Sequence, residues 1–294
     1  MVMMSHDLRR GPSWGCTVLT QVALFTALCA AFYVGIYFQR FNYANEGARD
    51  LYFISVLGGN RPLNQQTHLL KQMGRMAKIH KVKTVVSISD LGERDPLFLN
   101  GSLNFPSLKV PWYATKTLKA EAGNFQKQLQ LPNGQILDII AVDTGPLHDS
   151  VQLDQLTDGG KDQINWLMRT LEVTDSRWHI VVGYHPVVAC EGQKKEDGRT
   201  ALESLHQIFL EYGVNAYFSK VGCSGFYTSK DGISILGHPG PETHEAIHSM
   251  FNTEMHDGFL LHRVSALEIV SYFINSAGKV VLKSTLHQRG KAVI

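Results

Sequence analysis

The sequence predicts an α/β fold in which two mixed β-sheets pack together and are flanked by helices, with one apolar helix ahead of them. Three observations lead to this expectation. Short apolar runs alternate with helical periodicities as far as Gly225, which is the pattern of strand–helix–strand units. Beyond that point the chain carries strand-like runs, and residues 14–38 include no charged side chain. With 294 residues, of which 44% are hydrophobic, the chain can bury a core of ordinary size.

The body of the protein opens with a strand–helix–strand unit. Residues 51–57 form a largely apolar run before Gly58, residues 65–79 have apolar side chains at helical spacing, and residues 85–89 form a second apolar run. A parallel, right-handed crossover is the default for such a unit. The later elements are predicted by the same criteria. They are strands at 138–144, 178–183 and 215–219, helices at 161–171 and 201–212, and strands at 232–236, 258–264, 267–274 and 279–286, the last two joined by a turn at 275–278.

Residues 14–38 are predicted to cross a membrane as one helix. Their length suits roughly 30 Å of hydrocarbon, and exceeds the roughly 7–15 apolar residues of a cleaved signal peptide. Arg9 and Arg10 precede the span, so the positive-inside rule places the N-terminus in the cytoplasm. The alternatives are a cleaved signal peptide and a buried soluble helix. The prediction is a type II single-pass protein of the secretory pathway, with a cytoplasmic tail at 1–13, a transmembrane signal-anchor at 14–38, a linker at 39–50 and a lumenal or extracellular domain at 51–294.

Charge and cysteine content restrict the partners. A net charge of +2, with scattered basic residues, gives no surface for nucleic acid. Asn100-Gly101-Ser102 is a glycosylation sequon in a predicted polar loop, as expected of a lumenal glycoprotein. Of the four cysteines, Cys190 and Cys223 lie outside the apolar span, so the body can form one disulfide but does not require it.

Three strands of the body end at loops with polar side chains. The run at 85–89 ends on Asp90, the run at 178–183 continues into Tyr184-His185, and the run at 215–219 is followed by Lys220. Loops at the carboxyl ends of strands are where α/β proteins carry their chemistry. We therefore expect any functional site to lie there.

Five short segments resemble, in their order and in their residues, segments of the calcineurin-like metallophosphoesterases. The resemblance is to the purple acid phosphatase-like group of that family. The segments are residues 111–114 (PWYA), 142–144 (VDT), 163–167 (QINWL), 178–186 (WHIVVGYHP) and 216–219 (AYFS). The resemblance extends over residues 51–286 and implies the two-sheet metallophosphoesterase sandwich. It also implies a hydrolase fold in which two metal ions activate a hydroxide and bind the phosphate of a phosphate ester.

By the same resemblance, most positions that would hold those metals are replaced. The family's first ligand, an Asp after the first strand, has no counterpart in residues 55–59. Asp90 stands at the bridging carboxylate and Glu93 at a tyrosine ligand. Leu118 and Lys119 stand where the family has its ligating Asn and catalytic His.

The last two motifs are altered in the same way. Tyr184 replaces the ligating His of the fourth motif, and residues 220–223 lack both histidines of the fifth. Two carboxylates, Asp90 as a residual ligand and Glu93 as a substitute, are too few to hold a metal ion selectively. We therefore expect no metal cofactor. An active protein would need iron, zinc or manganese.

Other residues have alternative interpretations. Lys119 and Lys220 are candidates for an anion-binding pocket where the metals would lie, but also for two solvated lysines. His185 is a candidate base, or a packed histidine. With the implied fold, Cys190 and Cys223 leave neighbouring strands at one edge, and a disulfide between them would link two loops of the former active site. Four histidines, at 238, 244, 248 and 256, fall in a Gly/Pro-rich region predicted as loop, and their spacing matches no metal-ligand motif.

These observations favour a membrane-anchored, purple acid phosphatase-like pseudoenzyme with a binding or structural role. Its predicted partners are the membrane, through residues 14–38, and an unidentified protein or phosphate-containing ligand. One alternative is a divergent, active metal-dependent phosphoesterase that hydrolyses phosphate monoesters. Another is a transmembrane interaction protein in which the apolar span matters as much as the body.

Overall fold

The computed structural model describes residues 14, 18–19, 21–30, 50–116, 124–148, 156–187, 201–222, 225–240 and 257–288. The chain divides into two compact units, Met1–Ala48 and Arg49–Ile294. In the first unit residues 21–30 are helical and their side chains are exposed. Within the described ranges, no helix combines the length and the apolar character needed to span a membrane. Much of the predicted span of residues 14–38 lies outside those ranges.

The second unit contains two six-stranded sheets. Their strands, in chain order, are β1 (Leu51–Leu57), β2 (Val85–Ile88), β3 (Trp112–Ala114), β4 (Phe125–Gln130), β5 (Ile136–Ala141), β6 (Trp178–Val182), β7 (Ala216–Lys220), β8 (Tyr227–Lys230), β9 (Ile233–His238), β10 (Gly258–Val264), β11 (Glu268–Asn275) and β12 (Val280–His287). The first sheet has the order β12-β11-β10-β1-β2-β3 and the second β4-β5-β6-β7-β9-β8. Both are mixed, because each combines parallel neighbours (β1–β2–β3 and β5–β6–β7–β9) with antiparallel ones.

Helices cover the outer faces of this sandwich. They are α1 (Leu63–His80), α2 (Pro96–Asn104), the short α3 (Gly145–His148), α4 (Asp158–Val173) and α5 (Ala201–Glu211). Leu69, Leu70 and Met73 of α1 pack against one face of the first sheet, and Leu167 of α4 packs against one face of the second. The remaining faces meet in a third apolar cluster. The predicted fold class, two packed mixed sheets with helices outside, is confirmed for the body.

The core between the sheets is built from alternate residues of the central strands. Phe53, Val86, Ile180, Phe218 and Phe273 lie in it with almost no exposed surface. Because side chains alternate along a strand, the intervening residues face the helices. The long apolar runs of these strands therefore follow from burial on both faces.

Two local predictions were wrong. Asn100 lies within α2 and is half-buried, whereas the sequence analysis placed the sequon in a polar loop. Its amide donates to Gln66 Oε1 at 3.5 Å. His238 is the last residue of β9 and is buried, whereas it was assigned to a loop. His244, His248 and His256 lie outside the described residues.

Candidate functional site

The loops at the carboxyl ends of the parallel strands of both sheets meet along one edge of the sandwich. This edge, residues 58–59, 89–95, 115–116, 143–145, 184–186 and 220–222, is called the rim below. A contact across the two sheets shows the meeting directly, since Lys116 Nζ after β3 lies 3.0 Å from Asp143 Oδ2 after β5. The rim is thus where the sequence analysis expected a functional site.

The two predicted metal ligands lie on the rim but do not form a coordination site. Asp90 is exposed, and Glu93 is half-buried in the 3-10 turn Gly92–Arg94. The backbone amide of Glu93 donates to Lys116 O at 3.1 Å. Among the described residues there is no group of three or more His, Cys, Asp or Glu side chains able to hold a metal ion.

The buried carboxylate of the rim is Asp95, which sequence reasoning missed. It has no exposed surface. Its Oδ2 accepts hydrogen bonds from Gly59 N and Ser89 Oγ, both at 2.7 Å, and its Oδ1 accepts from Leu97 N at 2.8 Å and Phe98 N at 3.4 Å. The last two are the N-terminal amides of α2, so Asp95 is the N-cap of that helix. A signal was present in the sequence, since Asp followed by Pro is a typical start of a helix.

Asp95 lies directly against the loop that follows β1. A Cβ atom built on Gly58 would be 2.3 Å from Asp95 Oδ2 and 2.9 Å from Ser89 Cβ. This is the loop where the resemblance places the family's first metal ligand. The space beside that loop is therefore filled by a carboxylate from another segment of the chain.

His185 is held by its neighbours in a defined orientation. Thr144 Oγ1 accepts hydrogen bonds from Tyr184 N at 3.1 Å and His185 N at 3.0 Å, and lies 3.0 Å from His185 Nδ1. Because this hydroxyl already accepts two amide protons, its own proton points to Nδ1, which is then the acceptor. The ring of His185 also stacks on that of His148, with centroids 4.1 Å apart.

Lys220 covers Tyr184, which the resemblance places at the position of a ligating histidine. Its Nζ lies 4.6 Å from the centroid of the Tyr184 ring, within cation–π range. The backbone also joins these residues, because Lys220 N donates to Tyr184 O at 3.0 Å. Lys119, Cys190 and Cys223 lie outside the described residues, so the predicted anion pocket and disulfide stay predictions.

An ion pair on the rim was also missed. Lys116 and Asp143 are paired at 3.0 Å, with side chains 50% and 15% exposed. Asp143 Oδ1 also accepts from Gly145 N at 3.0 Å. In the sequence Asp143 stands out only as part of a family-like segment, and its partner Lys116 is distant in the chain.

Three solved structures resemble this chain. GAP50, the anchor in the inner membrane complex of Plasmodium, has a TM-score of 0.60 and is 16% identical, over 83% of this chain and 90% of that one. PhoD has a TM-score of 0.46 at 10% identity, over 81% of this chain and 68% of that one. The zinc complex of Vps29 from Entamoeba histolytica has a TM-score of 0.36 at 10% identity, over 81% and 99%. No family model and no curated protein matches the sequence.

The first match decides the fold, because a TM-score below 0.5 is not evidence of a shared fold. The body shares the fold of GAP50. At 16% identity the likeness extends to the fold alone. What this fold does in this chain depends on its site.

The described side chains do not fit the pair of metal ions that a metallophosphoesterase would hold. The four hydrogen bonds to Asp95 occupy both of its oxygens, and three of them are 2.8 Å or shorter. A metal ion there would have to displace these donors from a buried site. At the fourth motif the rim presents the Tyr184 ring beneath an ammonium group, which repels a cation.

Beneath the rim, a chain of buried polar groups crosses from one sheet to the other. Ser55 Oγ of β1 lies 2.6 Å from His262 Nε2 of β10 and 2.6 Å from His238 Nε2 of β9. At the two ends, His262 Nδ1 lies 2.8 Å from Ser271 Oγ and His238 Nδ1 lies 3.0 Å from Ser219 O. At most 4% of any of these five residues is exposed.

The protons in this chain can be placed. A carbonyl only accepts, so His238 Nδ1 carries a proton and its Nε2 accepts from the Ser55 hydroxyl. Ser55 Oγ then accepts from His262 Nε2–H, and His262 Nδ1 accepts from the Ser271 hydroxyl. Every ring nitrogen has a partner, and both imidazoles are neutral.

The surroundings keep these rings neutral. Burial lowers the pKa of His238 from 6.5 to about 4, although its hydrogen bonds to backbone carbonyls act in the opposite direction. Burial also holds the pKa of His262 well below its usual value, and His238 lowers it further. His262 stacks between aromatic rings, with centroids 4.4 Å from Phe53 and 4.7 Å from Phe218.

Proposed function

We propose that this protein is a membrane-anchored pseudoenzyme with a metallophosphoesterase fold, and that its body acts in binding or in the structure of a complex. The observation that supports it most is Asp95. Its carboxylate, with four hydrogen bonds, lies against the loop that would contribute the first metal ligand. The scaffold is kept while the position for metal-assisted hydrolysis is filled.

Anchoring through residues 14–38 is supported by the apolar character of the segment. Its described helical part exposes large apolar side chains, among them Leu24 at 65% and Phe25 at 70%. Such side chains are favourable in lipid and unfavourable in water. The similar structure GAP50 is itself an anchor in a membrane complex of Plasmodium. From the charge pattern around the span and the sequon at Asn100, we further propose a type II protein whose lumenal or extracellular body carries a glycan on Asn100.

The rim is the proposed binding surface. Lys116 is half-exposed there, and Lys220 presents a second cation on the Tyr184 ring. Together with Lys119, these side chains would bind an anionic group by charge, either a phosphate-containing ligand or an acidic protein segment. Coordination to a metal has no part in this mode of binding.

Metal content and hydrolysis of p-nitrophenyl phosphate, measured on the same full-length protein, test the proposal. The protein should be purified in detergent without chelators or a metal-binding tag. We expect far less than one metal equivalent by elemental analysis, and no turnover after addition of iron, zinc or manganese.

The contrary result is clearly defined. About two equivalents of metal, together with turnover that is lost in Asp90→Ala but kept in Glu172→Ala, would show an active dinuclear enzyme. Glu172 is a suitable control because it is exposed and lies in the last turn of α4, which leads to the start of β6 at the edge opposite the rim.

A further inference from the structure

The hydrogen-bonded chain beneath the rim joins the two sheets at one point. Ser55, His262 and Ser271 belong to the first sheet, whereas His238 belongs to the second. The bond from Ser55 Oγ to His238 Nε2, 2.6 Å long, is therefore a link between sheets. His238 ends β9, which places this link at the rim side of the core.

Most of the remaining core between the sheets is apolar and needs no such link. At the edge opposite the rim, Leu137 and Trp178 are neighbours on β5 and β6 and belong to the apolar cluster. Trp178 Nε1 donates to Ser265 O at 2.9 Å, which joins the sheets at that edge independently of any titrating group. The two edges of the sandwich are thus held by different chemistry.

A proton added to the polar chain would be a buried charge, and no carboxylate among the described residues acts on either ring as a counter-ion. The strands packed around it contribute Phe53, Phe218 and other apolar side chains. The titratable groups of the adjoining rim are Lys220, which pairs with His238 in the sheet and is itself cationic, Tyr184 beneath Lys220, and Asp95 with its four hydrogen bonds. Asp257, just before β10, is paired with Arg61.

We propose that Ser271, His262, Ser55 and His238 form a proton-sensitive latch, which holds the two sheets together at neutral pH and opens the rim side of the sandwich in acid. The closed latch accommodates neutral imidazoles only. In each ring one nitrogen donates and the other accepts, so an added proton would displace the donor that now faces the accepting nitrogen. Opening exposes the rings to water, where they bind a proton readily. The latch does not depend on what the rim binds.

The direction of the effect follows from the histidines. Their pKa values are lower in the closed structure than in water, so the latch is fully stabilising above about pH 6.5 and loses stability as the pH falls toward the pKa of His238, about 4. Each exposed imidazole makes opening roughly tenfold more favourable per pH unit in that interval. Two imidazoles together give up to roughly a hundredfold per unit.

Native-state hydrogen exchange of the full chain between pH 7 and pH 5 tests the latch. Below about pH 6.5, amides at 55–57 and 236–238 should lose protection by at least roughly tenfold per pH unit, after correction for the intrinsic exchange rate. Amides at 137–139 and 178–180, at the opposite edge, should keep theirs. Equal losses at both edges would mean global destabilisation and would overturn the proposal, as would unchanged protection at the rim side.

A variant separates titration from packing. In His238→Asn, the side-chain amide can still donate to Ser219 O, but the titrating ring is gone. We therefore expect the loss of exchange protection at 55–57 to be about tenfold smaller per pH unit than in the unaltered protein. The matched control is His68→Gln, which removes an exposed histidine of α1 and should leave the pH dependence unchanged. If His238→Asn does not fold, the comparison of the two edges in the unaltered protein still decides.

Discussion

Asp95 and Asp90 are suitable positions for a paired test. The sequence predicts Asp90 as the important carboxylate, whereas in the structure Asp95 is the buried and hydrogen-bonded one. In Asp95→Asn, the side chain keeps its size, but one acceptor oxygen becomes an NH2 group. Whichever way the amide is turned, that NH2 group faces two donors, either Gly59 N and Ser89 Oγ or the amides at the start of α2.

The expected loss can be worked from these contacts. A buried backbone donor left without an acceptor costs about 1–3 kcal/mol, and bonds to the remaining neutral oxygen are each about 1 kcal/mol weaker than bonds to a carboxylate. We expect the free energy of unfolding of Asp95→Asn to fall by about 2–4 kcal/mol. Asp90→Asn is the matched control, and because Asp90 is exposed its effect should stay within about 0.5 kcal/mol.

Guanidinium chloride unfolding of the full chain, followed by tryptophan fluorescence, to which the buried Trp178 contributes, measures both variants. A value for Asp95→Asn within 0.5 kcal/mol of the parent, or an Asp90→Asn loss of similar size, would refute this reasoning. If Asp95→Asn cannot be purified, Ser89→Ala removes a single donor to the same oxygen and should cost about 1 kcal/mol.

Three further changes test other parts of the body. The pKa of His238 is about 4 in the folded protein and 6.5 in the unfolded chain. Lowering the pH from 6.5 to 4 should therefore reduce the free energy of unfolding by about 3 kcal/mol through this residue alone. A denaturant midpoint that does not change with pH would contradict this expectation. In Gly101→Ala the new Cβ would be 2.4 Å from Trp112 Cη2, so we expect a loss of about 1–3 kcal/mol and a lower melting temperature; an unchanged melting temperature would show that the indole can move aside. Arg61→Met removes a fully buried guanidinium 2.9 Å from Asp257, whose side chain is 21% exposed, and should lower the free energy of unfolding by about 2–3 kcal/mol in chemical denaturation. If the double variant Arg61→Met/Asp257→Asn is as destabilised as Arg61→Met alone, the unpaired carboxylate is not the cause.

The fold could be predicted where burial alone determines the residue types. The strands at 51–57 and 258–264 were predicted with their observed bounds, because residues buried on both faces form apolar runs. α2 was missed, since its sequence PLFLNGSLN contains a glycine and has little helical amphipathicity. β4 was missed as well, because an edge strand with the sequence FQKQLQ has few apolar residues.

The site was harder to predict, because its contacts join distant parts of the chain. Asp90 and Asp95 differ in burial, and sequence spacing does not tell which of the two faces the interior. Ser55 and His238 are separated by 183 positions, so their hydrogen bond has no local signal. The resemblance predicts replaced ligand positions, whereas nothing in the sequence indicated that Asp95 lies against the loop after β1.

The contact between Gly58 and Asp95 restricts how this protein could evolve or be engineered. Placing a ligand at this loop by Gly58→Asp alone would bring two acidic side chains into conflict, because even the Cβ atom would be 2.3 Å from Asp95 Oδ2. Changing Asp95 first would remove the helix cap and leave donors unpaired. Each single step is unfavourable, and only a concerted change avoids both. A carboxylate can therefore be introduced at this loop only together with a change at Asp95, because either substitution alone passes through a destabilised sequence.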